Sequence, residues 1–212
     1  MKYEAVLFDL DGVILSTDDF HYKAWKKLAD REGIYFDREI NERLRGVSRM
    51  ESLAIILERA EKEYTEDEKI EMATFKNDFY RESLQDLTPD HVFEGVKDFL
   101  GFLTGNGIRI AIGSSSKNAK FILKQIGMFD TFEAISDGTN IENSKPDPEV
   151  FLKAAEMLSV APEKCLVVED AEAGIDAAVA GNMDSLGVYA VCEYDKNTYS
   201  ARDIQSVDRS IF

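Results

Sequence analysis

The sequence predicts an α/β fold: a doubly wound parallel sheet interrupted by an inserted α-helical subdomain. Three observations lead there. Short, nearly continuous apolar runs recur at 5–10, 108–112 and 165–168, with weaker ones at 132–135 and 186–191. Helical stretches at 96–104, 119–126, 148–158 and 174–180 separate them. Finally, residues 17–87 have a helical pattern throughout and contain no convincing strand.

The first run, Ala-Val-Leu-Phe-Asp-Leu at 5–10, leaves no face for water. A parallel strand covered by helices on both sides needs that composition. The helical segment that follows shows legible helix starts. Ser48-Arg-Met-Glu51 and Thr65-Glu-Asp-Glu68 both fit the S/T-x-x-E capping box, in which hydroxyl and carboxylate satisfy each other's backbone donors. An uninterrupted helical stretch of this length reads as a subdomain at 17–89, dividing a core formed by 1–16 and 90–212. Two neighbouring crossings of the chain would attach it, which is how a hinged lid is built. Beyond about residue 187 the tail turns polar and shows no clear terminal helix.

Composition narrows the chemistry. Of 212 residues 44% are hydrophobic, enough for a buried core, while 41 acidic against 25 basic side chains give a net charge of −16. Such a surface repels phosphate backbones and anionic lipid, so neither nucleic acid nor membrane is expected as a partner. The two cysteines, Cys165 and Cys192, form no metal spacing and no disulfide framework, and a reducing cytoplasm is the expected compartment. The N-terminal apolar run is broken by Asp9 and ended by Asp11, which predicts neither a signal peptide nor a membrane span.

The chemistry-bearing residues cluster where the strands end. In extended chain Asp9 and Asp11 share a face, and two carboxylates that close call for a cation or a shared proton. A strand that merely ends in an Asp-Gly turn is an equally natural reading of those residues alone. The run at 165–168 ends in Glu169-Asp170, and carboxyl ends of parallel strands line one edge of a sheet, so the two acidic pairs can converge there. Hard oxygen donors of this kind suit Mg²⁺. Simple capping of the next helix is the plainer account of Glu169 and Asp170, and the convergence of two strand-end acidic pairs argues against it. The run at 108–112 leads into Gly113-Ser114-Ser115-Ser116-Lys117-Asn118, whose hydroxyls and backbone N–H groups before a helix could hold an anion. Lys145, stiffened by Pro146 and Pro148, would place a fixed cation beside the acidic edge.

Taken in order, Asp9-Leu-Asp11-Gly12, Ser114, Lys145 and Glu169-Asp170 resemble the four motifs of the haloacid dehalogenase-like phosphotransferase superfamily, over essentially the whole chain. The sheet then resembles that family's Rossmann-like core, and the helical insert looks like its C1-type cap. The stretch Thr17-Asp-Asp-Phe-His21-Tyr-Lys-Ala-Trp25, the segment Gly46-Val47-Ser48-Arg49, and Lys76-Asn77 are further similar to the cap signatures of its β-phosphoglucomutase subfamily.

The resemblance implies roles. Asp9 would be the nucleophile and Asp11 the general acid/base. Mg²⁺ would sit on Asp9, the main-chain carbonyl of Asp11, and Asp170, with Glu169 in or beside its shell. Ser114 and Lys145 would bind the transferring phosphoryl group. Arg49 would clamp the second phosphate, met by Ser116, Lys117 and Asn118. Thr17, His21, Trp25, Gly46, Val47, Ser48, Ser52, Lys76 and Ser115 complete the expected substrate site. Of these, Ser48 also reads as a helix cap, and Trp25 as packing. The chain departs from the family at Ser115, where alanine is common, and at Ala171-Glu172, where Ser and Gln are more typical.

The implied reaction interconverts β-D-glucose 1-phosphate and glucose 6-phosphate through an aspartyl-phosphate and a 1,6-bisphosphate. The implied enzyme is a cytoplasmic monomer whose partner is a small sugar phosphate. A Mg²⁺-dependent sugar-phosphate phosphatase with the same core is the main alternative. A non-catalytic phosphosugar binder is a third reading, disfavoured because a binder needs no nucleophile.

Overall fold

The computed structural model describes residues 2–44 and 47–212. Contacts divide the chain into two compact units, Met1–Ser16 with Thr88–Phe212, and Thr17–Leu87. In the first unit the strands are β1 (Ala5–Phe8), β2 (Arg109–Gly113), β3 (Ala134–Ser136), β4 (Cys165–Glu169), β5 (Asp184–Val188) and β6 (Tyr199–Ala201). They form one sheet in the order β3-β2-β1-β4-β5-β6, every neighbouring pair parallel. Leu7 on β1 is paired with Ala111 on one side and Val167 on the other. The order reverses between β1 and β4, and the crevice beyond the carboxyl ends of such strands is where ligands of open α/β sheets bind.

The second unit holds α1 (Asp18–Glu32), α2 (Arg38–Glu42), α3 (Arg49–Leu57) and α4 (Glu66–Ser83). Trp25, Leu28, Phe36, Leu53, Ile56 and Met72 pack its apolar centre. Both expected capping boxes form: Ser48 Oγ accepts from the Glu51 N–H at 3.3 Å, and Thr65 Oγ1 from the Glu68 N–H at 3.3 Å. The unit is not helical throughout. Residues 34–37 run between α1 and α2 without helix, because the buried Ile34 and Phe36 alternate with exposed or part-exposed neighbours, a period of two.

Back in the sheet unit, α5 (Val96–Gly105), α6 (Ala119–Gln125), α7 (Glu149–Met157) and α8 (Glu172–Ala180) connect the strands. Val150, Phe151 and Ala154 of α7 and Ala177 and Ala178 of α8 are buried with Leu7, Ala111 and Val167. β2 and β4 match their apolar runs to within a residue at each end, and three other strands depart further. The first strand stops at Phe8, since Leu10 already closes a turn, accepting from Ile14 N–H at 3.0 Å. The third, expected at 132–135, runs at Ala134–Ser136. The fifth spans Asp184–Val188 and ends where Tyr189 takes a left-handed φ of 52°. The tail adds β6, short and only partly buried, paired with β5 through Leu186 and Tyr199. Among the described residues no helix is long and apolar enough to cross a membrane.

Candidate active site

β1 and β4 deliver the acidic groups. Asp9 follows β1 directly, and its N–H donates to the Val168 carbonyl at 3.0 Å, which continues the ladder one step past the strand. Glu169 is the last residue of β4, and Asp170 follows it; all three side chains are buried. The chain must leave β1 sharply, and Gly12 does so with a φ of 86°. Its missing side chain also makes room for Asp170, whose Oδ2 would lie 2.0 Å from a Cβ at that position. Both requirements select glycine there.

Lys145 joins the acids. Its Nζ, 3% exposed as a residue, hydrogen-bonds Asp9 Oδ1 and lies 2.5 Å from Glu169 Oε1. The other oxygen of Glu169 accepts from the N–H groups of Asp170 (2.9 Å) and Ala171 (3.0 Å). Burial tends to neutralise Lys145, but the charges of Asp9 and Glu169 outweigh it and hold the ammonium above its ordinary range. Burial likewise pushes the Asp9 carboxyl up to about 7, against the attraction of Lys145 and with Glu169 and Asp11 adding to the rise. Glu169 thus serves Lys145 and the turn into α8, which combines the helix-start and site readings of this residue.

The turn after β2 lies on the same edge. Ser114 is buried, and its N–H donates to the Ser136 carbonyl at 3.1 Å. Ser114 Oγ accepts from the Ser116 N–H and Ser116 Oγ from the Asn118 N–H, each at 3.2 Å. Asn118 precedes α6 without capping it through its side chain, and Lys117 is exposed. Among the described residues Ser115 Oγ is buried with no hydrogen-bond partner.

Among the described residues, no three His, Cys, Asp or Glu side chains are gathered as a metal-binding group. The donor chemistry nonetheless fits a hard cation. The carboxylates of Asp9 and Asp170 with the main-chain carbonyl of Asp11 are oxygen donors of the type Mg²⁺ uses, two carboxylates being enough when water and phosphate complete the shell.

The helical unit holds a second, cationic cluster. Lys76 on α4 is 2% exposed, its Nζ 2.9 Å from His21 Nδ1 and over the rings of Trp25 (4.8 Å) and Tyr80 (4.3 Å). The Tyr80 ring tilts against His21 with centroids 4.1 Å apart, and its hydroxyl donates to Thr17 Oγ1 at 3.2 Å. Burial first, then the charges of Lys76 and Arg49, hold the His21 imidazole well below its usual range. A neutral His21 accepts from the ammonium at Nδ1 and so carries its proton on Nε2. Arg49 opens α3 and donates to Asn77 Oδ1 at 2.8 Å, while burial lowers its pKa. Val47 is partly buried ahead of α3, Ser52 is buried within it, and Gly46 lies outside the described residues.

Tyr80 is absent from the expected site residues, and Asn77 enters there only as part of the Lys76-Asn77 signature. Tyr80 stands four positions after Lys76, the spacing that puts two side chains on one helical face, so the signal was present. Gly174 was missed as well: a Cβ there would meet Glu169 Oε1 at 1.9 Å.

A sheet with this strand order, acids at its switch point and a buried lysine between them defines a phosphotransferase-type site, and comparison with known proteins agrees. The profile of the haloacid dehalogenase-like hydrolases matches residues 3–182, and the chain belongs to that family. Within it, the chain is 46% identical over 187 residues to β-phosphoglucomutase of Bacillus subtilis, covering 87% of this chain and 83% of that one. It is 30% identical to a phosphorylated carbohydrates phosphatase of Thermotoga maritima, covering 86% and 83%. The crystal structure of β-phosphoglucomutase from Clostridium difficile superposes with a TM-score of 0.93 at 40% identity, covering 99% of this chain and 95% of that one.

Proposed function

We propose that the chain interconverts β-D-glucose 1-phosphate and glucose 6-phosphate by phosphoryl transfer through Asp9. The observation that carries this reading is the buried Lys145 ammonium bonded to both Asp9 and Glu169. In a chain of net charge −16, it is a fixed cation at the one carboxylate placed to attack an anionic phosphoryl group.

In the first half-reaction Asp11 takes the proton of the free sugar hydroxyl of β-glucose 1-phosphate as that oxygen captures the phosphoryl group from phosphorylated Asp9, whose own bond to phosphorus breaks. The 1,6-bisphosphate so formed turns end for end. In the second half-reaction an oxygen of Asp9 bonds to the other phosphorus, the bond from that phosphorus to the sugar oxygen breaks, and Asp11 gives that oxygen its proton, which releases glucose 6-phosphate and restores phosphorylated Asp9. Lys145 and the Ser114 hydroxyl spread the charge of the transferring group without having to reorganise. Mg²⁺, held by Asp9, Asp170 and the Asp11 carbonyl, would offset the charge of the phosphoryl oxygens. Arg49, Ser116, Lys117 and Asn118 grip the other phosphate, and the neutral His21, seated on Lys76, offers its Nε2–H to a sugar oxygen. The substrate is a small sugar phosphate, and the reading has the enzyme work as a cytoplasmic monomer with neither nucleic acid nor membrane as partner.

The likeness to a carbohydrate phosphatase favours one second reading, in which water is the final acceptor. ³¹P NMR of the protein with Mg²⁺, β-glucose 1-phosphate and a trace of the 1,6-bisphosphate separates them. Conversion to glucose 6-phosphate is expected. Steady release of inorganic phosphate without the 6-phosphate would establish the phosphatase.

A further inference from the structure

Lys145 stands in the connection between β3 and α7, and α7 holds that connection from one side. Glu149, the first residue of α7, accepts from the Glu142 N–H with both oxygens (3.1 and 3.0 Å) and from the Asn143 N–H (2.8 Å) and Nδ2 (3.2 Å) through Oε2. One turn on, Lys153 Nζ lies 2.8 Å from Glu149 Oε1 and donates to the Asn140 carbonyl. Asn140 in turn accepts from the Asp137 N–H at 2.8 Å through its side chain, and Gly138 lies close enough to the 114–118 turn that a Cβ there would stand 2.4 Å from the Ser115 carbonyl. The same helix meets the ammonium directly, with the ring of Phe151 4.7 Å from Lys145 Nζ. Bonds from Lys153 and from the Asn143 N–H keep the Glu149 carboxyl down at about 2, so it stays ionised at neutral pH.

We propose that Glu149 and Lys153 are positioning residues for phosphoryl transfer, which fasten residues 140–143 to α7 and thereby hold the Lys145 ammonium at Asp9. The inference rests on the reading of Lys145 as a phosphoryl-binding group. Neither residue touches Asp9, so each acts through Lys145, and a displacement of about an ångström is enough to cost on the order of 100-fold in rate.

The test is the mutase assay with Mg²⁺, β-glucose 1-phosphate and a trace of 1,6-bisphosphate on the full chain. Glu149→Gln and Lys153→Met are each expected to lower kcat about 10- to 100-fold with KM changed less than about threefold. In a Lys145→Met background, Glu149→Gln should change kcat less than about twofold, because residues that act through one group are not additive. Wild-type kcat in both single variants, beside a crippled Lys145→Met, overturns the inference and leaves the function intact. So does a Glu149→Gln loss that persists undiminished without Lys145, since that marks a general structural role. Full activity of Lys145→Met overturns the reading of Lys145 itself. Should Glu149→Gln fail to fold, Lys153→Met carries the same comparisons.

Discussion

Gly174 and Glu169 share one volume: a Cβ at residue 174 would stand 1.9 Å from Oε1 of Glu169. The carboxylate has little freedom to retreat, with Lys145 on one oxygen and two backbone N–H groups on the other. A Gly→Ala change inside a helix ordinarily stabilises by up to about 1 kcal/mol. Here overpacking should reverse the sign, and Gly174→Ala is expected to cost about 1–3 kcal/mol and to lower kcat by displacing Glu169 and with it Lys145. Urea denaturation reads the first and the mutase assay the second. A variant more stable than the parent would show that Glu169 is mobile.

His21 makes the helical unit acid-sensitive. The unfolded chain protonates this imidazole below roughly pH 6.5, whereas burial and the nearby cations keep it neutral in the fold well below that. Protons therefore favour the unfolded state there: the contribution is complete above the unfolded pKa and is lost as pH falls below it. One unit lower, the loss is about 1.4 kcal/mol. Trp25, the chain's one tryptophan, packs in this unit and reports its unfolding. His21→Asn should flatten the stability profile between pH 7 and 5 by about 2 kcal/mol, and superimposable profiles would mean that His21 is protonated in the fold.

How much of this could be read from the chain depends on the residue. Acids at the ends of β1 and β4 were legible, because parallel strands carry an unbroken apolar signature up to the point where the chemistry begins. The capping boxes at Ser48 and Thr65 were legible because both partners are local in sequence. β6 was not: Tyr199-Ser-Ala201 has three residues at a partly buried edge, and pairing with Leu186 rather than apolar content makes it a strand. The partition of the acids was not legible either. From its position beside Asp170, Glu169 reads as lying in or beside a metal shell or as capping the next helix, and the sequence does not show that its oxygens meet Lys145 and the turn into α8, contacts that depend on tertiary approach. Glu149 carries no motif: its i,i+4 pairing with Lys153 is of a kind common on helices, and the backbone N–H groups of Glu142 and Asn143 that it holds could come from any sequence.

Ser48 tests whether a helix start sets a functional side chain. Its hydroxyl accepts from the Glu51 N–H at 3.3 Å while the Glu51 carboxylate accepts from the Ser48 N–H at 2.8 Å, and the next residue is Arg49. Ser48→Ala removes half of this box and should cost about 1 kcal/mol of stability. Frayed at its first turn, α3 holds Arg49 less firmly, so KM for the sugar phosphate should rise with kcat nearly unchanged. A loss of stability with no change in KM would separate the cap from the substrate grip.

Arg49 decides between the two acceptor chemistries. Its guanidinium is anchored to Asn77 at 2.8 Å and partly buried, so the fork is preorganised. A mutase must hold the phosphate that is not being transferred, in both orientations of the bisphosphate, whereas a phosphatase acting on a monophosphate has no second phosphate to grip. Hydrogen bonds to a charged group contribute about 1.5–3 kcal/mol, so Arg49→Ala should lower mutase kcat/KM by about 10- to 100-fold. Mg²⁺-dependent hydrolysis of an aryl phosphate, which offers Asp9 a phosphoryl group and nothing else, should stay within about twofold because Lys145, Ser114 and Asp9 are untouched. Equal losses in both assays would assign Arg49 to the folding of the helical unit, and no loss in either would remove the second-phosphate grip and with it the strongest argument for a mutase over a phosphatase.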